Sequence, residues 1–466
     1  MTEQQWQIIL WVLEWGGLLL LAIYLVYTLL MFLSDRWTTK WLKKSPIHQS
    51  LISDEVLPSI TLIIPACNEE SVIEKCVESA IHLSYDNYKV LIVNDGSIDS
   101  TLQKLLVRYR MKEMSLRTRT RVSPTQALGM YHSELHSNLF VLDKSNTGKA
   151  DSLNCALQYV DTRLFALCDA DSVLDPGALK ILVRPFLEKS EKPTIAVGAA
   201  IRVQNTDEQL KTKTARLLYQ FQRLEYLRAF FCGRICWNYW GDIYIISGAI
   251  GLYDTETALL TAGIPVASQT EDLDFTFRLH VYHRAHQKPY RMIFLPNAVC
   301  STSVPTTVRS LVRQRYRWHR GLLEILMSYR GIFLNPIYGR FGSIIFLYLL
   351  WVELLSSGLE WLLLILTVVA LGSKILTWNW IVVWAGVGML WSLLVNLYLI
   401  SMVRRHFPDE MNRKMSIHFL WIGFFECLGY HQFVSLIRVF ALNPFKKKED
   451  LSWRIASHQS RMTEHQ

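Results

Sequence analysis

The chain has 466 residues, 51% hydrophobic and 19% charged, and its 49 basic residues against 40 acidic ones give a formal charge of +9. That balance excludes a disordered, collagen-like or disulfide-stapled chain and is too apolar for an ordinary soluble enzyme. Long uncharged runs at the two ends and an alternating middle predict a membrane protein with one globular domain of about 250 to 300 residues.

Trp6 to Phe32 carries no charge except Glu14 and exceeds the roughly 20 residues that a span requires. It lacks a basic start and a small-residue cleavage site, so residues 1–35 read as a retained anchor. Arg36, Lys40, Lys43 and Lys44 follow, which puts the next part of the chain in the cytoplasm by the positive-inside tendency. The basic excess beside apolar runs suits anionic lipid headgroups better than nucleic acid. The eight cysteines form no paired framework and suit a reducing cytosol.

Residues 55–306 read as a cytosolic domain. Ser59 to Pro65 and Tyr88 to Val93 are continuous β-rich runs flanking a helix-like stretch, Glu70 to His82, which makes a βαβ unit. The first strand runs into Pro65-Ala66-Cys67-Asn68-Glu69-Glu70, with Asn68 placed to cap the helix. The second ends in Asn94-Asp95-Gly96-Ser97. Ligands of open parallel sheets bind beyond such carboxyl ends, where an acid can bond a base or ribose, although Asn-Asp-Gly-Ser is also simply a good turn. The basic stretch Arg108 to Arg121 and the following Val122 to Leu142 read as an excursion, either solvated or a docking surface.

Gly148-Lys149 opens a helix where amides and an ammonium meet phosphate, without the spacing of a Walker loop. Arg163 to Cys168 is a strand ending in Asp169-Ala170-Asp171, two carboxylates able to hold a hard divalent cation together with diphosphate oxygens. Thr270-Glu271-Asp272 opens another helix. Asp272 there either takes a proton from an alcohol or simply satisfies the helix dipole. Residues 307–340 hold a basic amphipathic helix, Val308 to Met327, lying on the membrane surface. Gln314, Arg317 and Trp318 share one of its faces, for stacking on a sugar and binding hydroxyls or diphosphate, or for plain anchoring.

Two further apolar blocks, Phe341 to Leu371 and Ile381 to Met402, form an in-to-out and out-to-in pair, with Arg404, Arg405, Arg413 and Lys414 following. The stretch Ile417 to Leu442 completes the region 341–442 as an interfacial or re-entrant element, which leaves the tail 443–466 cytoplasmic. Glu353, Ser356, Ser357 and Glu360 fall on one helical face, either lining a sugar passage or pairing helices.

Taken together, Asn94-Asp95-Gly96, Asp169-Ala170-Asp171, Thr270-Glu271-Asp272 and Gln314-Arg315-Tyr316-Arg317-Trp318 resemble the processive family 2 glycosyltransferases, the membrane synthases of cellulose, chitin, hyaluronan and poly-N-acetylglucosamine. The resemblance covers about residues 55 to 330, and four ordered motifs in a membrane frame are more specific than any one alone. It implies an α/β GT-A-like domain, with a mostly parallel sheet between helices, flanked by transmembrane and interfacial helices. By position, Pro65, Asn68, Glu69 and Asp95 match a uridine pocket and Lys149 the diphosphate. Asp169 and Asp171 match a Mg2+ or Mn2+ motif, with Asp171 the direct ligand. Asp272, with Glu271 beside it, matches the catalytic base, Ser247 and Gly248 the acceptor mouth, and Gln314, Arg317 and Trp318 the acceptor signature. The implied enzyme is a metal-dependent hexosyltransferase, multi-pass in the inner membrane with its catalytic domain cytoplasmic. It passes a UDP-sugar to a growing polysaccharide with inversion, forming a β linkage coupled to export. Its implied partners are the donor, a polysaccharide or lipid-linked acceptor, membrane lipids and accessory export subunits, with no nucleic acid. Transfer of one sugar to a lipid carrier and a catalytically silent scaffold stand as alternatives.

Overall fold

A computed structural model describes residues 2–44, 57–115, 125–406 and 411–443. Part of the basic excursion (116–124) and the expected tail from 444 onward lie outside the described residues. In chain order the elements are α1 (Glu3–Lys44), β1 (Ile60–Ala66), α2 (Ile73–Ile81), β2 (Tyr88–Asp95), α3 (Thr101–Arg108), β3 (Met111–Met114), β4 (Gly129–Ser133) and β5 (Leu139–Lys144). Then come α4 (Lys149–Leu157), β6 (Leu164–Leu167), β7 (Val173–Leu174), α5 (Ala178–Leu187), β8 (Thr194–Val203), α6 (Lys213–Arg228) and α7 (Ile235–Trp240). β9 (Gly251–Asp254), α8 (Thr255–Leu260), α9 (Glu271–Ala285), β10 (Arg291–Thr302) and α10 (Val308–Ser328) follow, and apolar helices fill the remainder. The chain divides into two compact units. Among the described residues, one comprises those within 2–44, 206–239 and 304–443, the other those within 57–205 and 240–303.

The second unit is built on one ten-stranded sheet in the order β3-β4-β5-β2-β1-β6-β9-β8-β10-β7. β1 and β2 are buried along nearly their whole length, as continuous apolar runs are when helices cover both faces of a parallel sheet. The centre is the parallel set β5-β2-β1-β6. Its register puts Ala66 beside Asn94 and Asp95 beside Lys144, so the ends of β1, β2 and β5 lie along one edge. Outside that centre the sheet is mixed, because β9 runs antiparallel to both β6 and β8 and β4 antiparallel to β5 and β3. The excursion is therefore, in its described part, sheet: β3, β4 and β5 extend one side. Asn68 does not cap α2, whose first turn begins after Val72. It takes a left-handed φ of 57° and its Oδ1 accepts from the Ile98 N–H at 2.9 Å, sewing the loop after β1 to the loop after β2.

The first unit holds three helices long and apolar enough to cross a membrane among the described residues: Glu3–Lys40, Phe341–Gly372 and Trp378–His406. Leu13 packs with Leu363 and Ala370, while Leu362, Ile365 and Val368 stay exposed, as a lipid-facing surface requires. The 417–442 stretch is broken into Arg413–Phe425 and His431–Ala441 around Gly429, which leaves the helical φ/ψ region. Each piece is shorter than a span. Glu353 and Glu360 find separate partners. The Tyr348 hydroxyl donates to Glu353 at 2.8 Å within the same helical run, whereas His431 and Ser435 bond Glu360 at 3.1 and 2.9 Å from another helix, which is helix pairing.

Residues 206–239 fall in this unit rather than in a continuous 55–306 domain. The cause is polar as well as apolar. Glu225 of α6 pairs with Arg315 at 2.8 Å and accepts from Tyr430 at 2.9 Å, Arg228 pairs with Glu426, and Phe221 stacks on Tyr430 with ring centres 4.4 Å apart.

Candidate active site

The strand ends of the second unit supply the site. β6 delivers Asp169 and Asp171, and the loop leaving β5 delivers Lys149 as the first residue of α4. The Lys149 Nζ stands 2.6 Å from Asp169 Oδ1 and 2.9 Å from Glu271 Oε1. Burial works against the ammonium, but the two carboxylates outweigh it and hold the Lys149 pKa above the ordinary lysine value. Pro65, Lys149, Asp169, Gly248, Glu271 and Asp272 line one cleft that is open to solvent.

Gly248 is required by that closeness. A Cβ at this position would stand 3.0 Å from the Lys149 Nζ and 3.7 Å from the Asp169 carboxylate. Its N–H instead donates to Asp272 Oδ2 at 3.3 Å, while Asp272 Oδ1 accepts from the Leu273 N–H at 2.8 Å. Asp272, second residue of α9, is thus held at both oxygens by backbone amides. Ser247 adjoins Gly248 in the same turn.

Asp171 accepts from the Thr302 hydroxyl at 3.4 Å. Burial, with the Asp169 charge next, pushes its carboxyl up to about 6. Two hard oxygen donors one residue apart, with negative charge in excess, fit a divalent cation.

Asp95 is 1% exposed. Its Oδ1 accepts from Lys144 Nζ at 2.7 Å and from the Thr147 N–H at 2.9 Å, and its Oδ2 accepts from the Gly148 N–H at 2.9 Å. Its contact is therefore with the 144–148 loop that launches Lys149. Gly96, at φ 56°, brings this turn so near that a Cβ would meet the Asn146 backbone nitrogen at 2.6 Å. The Glu69 N–H donates to Thr101 at 2.8 Å, so Asn68 and Glu69 sit in the loop pair at the same sheet edge. Lys144, which no sequence motif marks, is fully buried and also faces Asp151 at 3.5 Å.

Gln314, Arg317 and Trp318 lie on α10 in the first unit. There the Arg315 guanidinium stands 4.7 Å over the Trp318 ring, and Gln314 Oε1 is buried without a hydrogen-bond partner among the described residues.

Residues 58–321, more than half of the chain, match the family described as glycosyltransferase like family 2. The chain belongs to that family. Within the reach of this family, it is 26% identical over 307 residues to the poly-beta-1,6-N-acetyl-D-glucosamine synthase of Staphylococcus aureus (strain COL), covering 66% of this chain and 64% of that protein. The Staphylococcus epidermidis synthase of the same name is 25% identical over 291 residues, covering 62% and 61%. The chain thus spans less than two thirds of the length of these relatives. Among solved structures, the mannosyltransferase from Pyrobaculum calidifontis in complex with GDP-Man and Mn2+ is similar in fold at a TM-score of 0.53 and 17% identity, over 89% of this chain and 99% of that one. The sheet and helices of the second unit are accordingly those of a GT-A glycosyltransferase.

Proposed function

We propose that this protein is a membrane-embedded, inverting glycosyltransferase that moves a sugar from a UDP-sugar to the hydroxyl of a growing polysaccharide, forming a β linkage. The observation that carries the reading is the convergence of Lys149, Asp169, Gly248, Glu271 and Asp272 on one cleft from separate parts of the sequence. The similarity to poly-N-acetylglucosamine synthases makes UDP-N-acetylglucosamine the donor to try first.

In this reading Pro65, Asn68 and Glu69 receive the nucleoside end, and Asp95 fixes the loop behind Lys149. The Lys149 ammonium meets the diphosphate by exchanging its Asp169 and Glu271 contacts for phosphate oxygens. Asp169 and Asp171 hold Mg2+ or Mn2+, which when bound neutralises charge on the leaving diphosphate. Asp272 takes the proton of the acceptor hydroxyl, aimed by its two amide donors. Ser247 and Gly248 border the acceptor, and Gln314, Arg317 and Trp318 of the first unit are read as the acceptor signature, the Gln314 oxygen, buried and without a hydrogen-bond partner among the described residues, being an acceptor atom in want of a donor. The catalytic unit is cytoplasmic in the cell membrane, and the product is passed across it.

The test is UDP release and product length from purified membranes supplied with UDP-N-acetylglucosamine and Mn2+. Asp272→Asn is expected to abolish transfer while donor binding persists, and normal turnover in that variant removes Asp272 from the role of base. Chelation of divalent cations should silence the enzyme and added Mn2+ should restore it.

A further inference from the structure

Asp272, Thr276, His280 and Arg284 recur at every fourth residue of α9 and so share one face. All four bond the segment 242–248, in reverse order. Arg284 pairs with Asp242. His280 Nε2 donates to the Ile243 carbonyl at 2.7 Å. The Ile246 N–H donates to the Thr276 hydroxyl oxygen at 3.3 Å, and the Gly248 N–H donates to Asp272 at 3.3 Å. The segment runs through 242–247 without helix or strand, so these side chains satisfy backbone groups that a sheet neighbour would otherwise bond. The spacing is commensurate: twelve helical residues rise about 18 Å, and six extended residues cover about 20 Å.

The ladder also has a fixed sense. A carbonyl can only accept, so the proton of neutral His280 is on Nε2, and Nδ1 accepts from the Tyr290 hydroxyl at 2.6 Å. The Tyr290 oxygen in turn accepts from Arg284 Nε at 2.8 Å. Burial first, then the nearby Arg284 and His283 charges, lower the His280 pKa to about 3, so this tautomer is the resident form. Thr276, wholly buried, donates its own proton to the Asp272 carbonyl at 2.8 Å while receiving the Ile246 N–H.

We propose that Thr276 and His280 are positioning residues for sugar transfer: by holding segment 242–248 in register on α9, they set the Gly248 N–H against the Asp272 carboxylate and thereby aim it. The inference rests on the proposed role of Asp272. A displacement of about 1 Å at a reacting group can lower a rate a hundredfold, and one lost rung permits a displacement of that order.

The experiment uses the full chain in membranes with UDP-N-acetylglucosamine and Mn2+, and follows kcat, donor KM and thermal midpoint. Thr276→Val, which keeps the shape but removes the oxygen, is expected to lower kcat at least tenfold with donor KM within twofold. Thr276→Ser, which restores the oxygen, should recover most of kcat. Tyr290→Phe leaves every rung in place but removes the proton donated to His280, and is expected to lower kcat about threefold at unchanged KM. Wild-type kcat per folded molecule in both Thr276→Val and Tyr290→Phe would overturn the inference, as would a loss in Thr276→Val that Thr276→Ser shares in full. Absence of transfer by the unaltered protein counts against the proposed function itself and is seen before any variant is made.

Discussion

At the residue scale the site depends on a few contacts that leave no room for substitution. Gly248→Ala adds a methyl 3.0 Å from the Lys149 Nζ, and since the backbone at 248 is not left-handed, its cost falls on the ammonium rather than on the fold. We expect kcat/KM to drop about tenfold, in line with what small misplacements at reacting groups cost, with the thermal midpoint almost unmoved. Lys144→Met should behave in the opposite way. It removes a cation that is 0% exposed and leaves Asp95 and Asp151 buried without their counter-charge. Breaking a buried pair from one side costs about 3 to 5 kcal/mol, so a thermal scan should show a markedly lowered midpoint. Asp169, Asp171, Asp272 and Lys149 were legible in the sequence because each follows a strand or opens a helix beside a turn signal. Lys144 was not, because Asp143-Lys144-Ser145-Asn146 reads as an ordinary polar turn and only the three-dimensional register puts Asp95 opposite it.

At the element scale, α9 links local chemistry to stability. His280 is neutral in the folded chain, with its pKa down at about 3, but titrates near 6.5 when unfolded. Between those values the unfolded chain binds a proton that the folded chain does not, so this group's contribution is intact above pH 6.5 and is lost as pH falls toward 3. Burial first, then the Arg284 and His283 charges, disfavour the charged ring and outweigh the Ile243 carbonyl, whose hydrogen bond alone would favour it. The denaturation midpoint should therefore decrease from pH 7 to pH 5, with a shallower slope in His280→Gln, whose side chain still donates to Ile243 but does not titrate. The βαβ core was readable from sequence because its strands are continuous apolar runs. β3 was missed because Met-Lys-Glu-Met is mostly exposed and carries no burial pattern. The placement of α6 was missed because the partners of Glu225 and Arg228 lie 90 and 198 residues away, a distance no local pattern encodes.

At the scale of the whole molecule, charge around the apolar helices predicts a topology that can be measured. Arg36 and Lys40 end the first helix, Arg404 and Arg405 end the third, and Arg413 and Lys414 follow closely, whereas the turn between the second and third helices carries only Lys374. Basic residues are retained on the cytoplasmic side, and those closest to the spans weigh most. Three crossings with that bias are expected to leave the amino terminus outside, residues 57–340 inside, the Lys374 turn outside and the chain beyond His406 inside. Helices of 38, 32 and 29 residues exceed the hydrocarbon thickness, so basic residues at their ends reach the headgroups. A reporter active only outside the cytoplasm should therefore work when inserted at Lys374 and fail when inserted after Ser190 or at the carboxyl terminus, while a cytoplasm-dependent fluorescent reporter gives the reverse. Replacing Arg404, Arg405, Arg413 and Lys414 by glutamine should weaken that assignment for the last crossing alone. An external signal after Ser190 would mean that a UDP-sugar donor made in the cytosol never meets the cleft, and the proposed reaction would then lack its substrate.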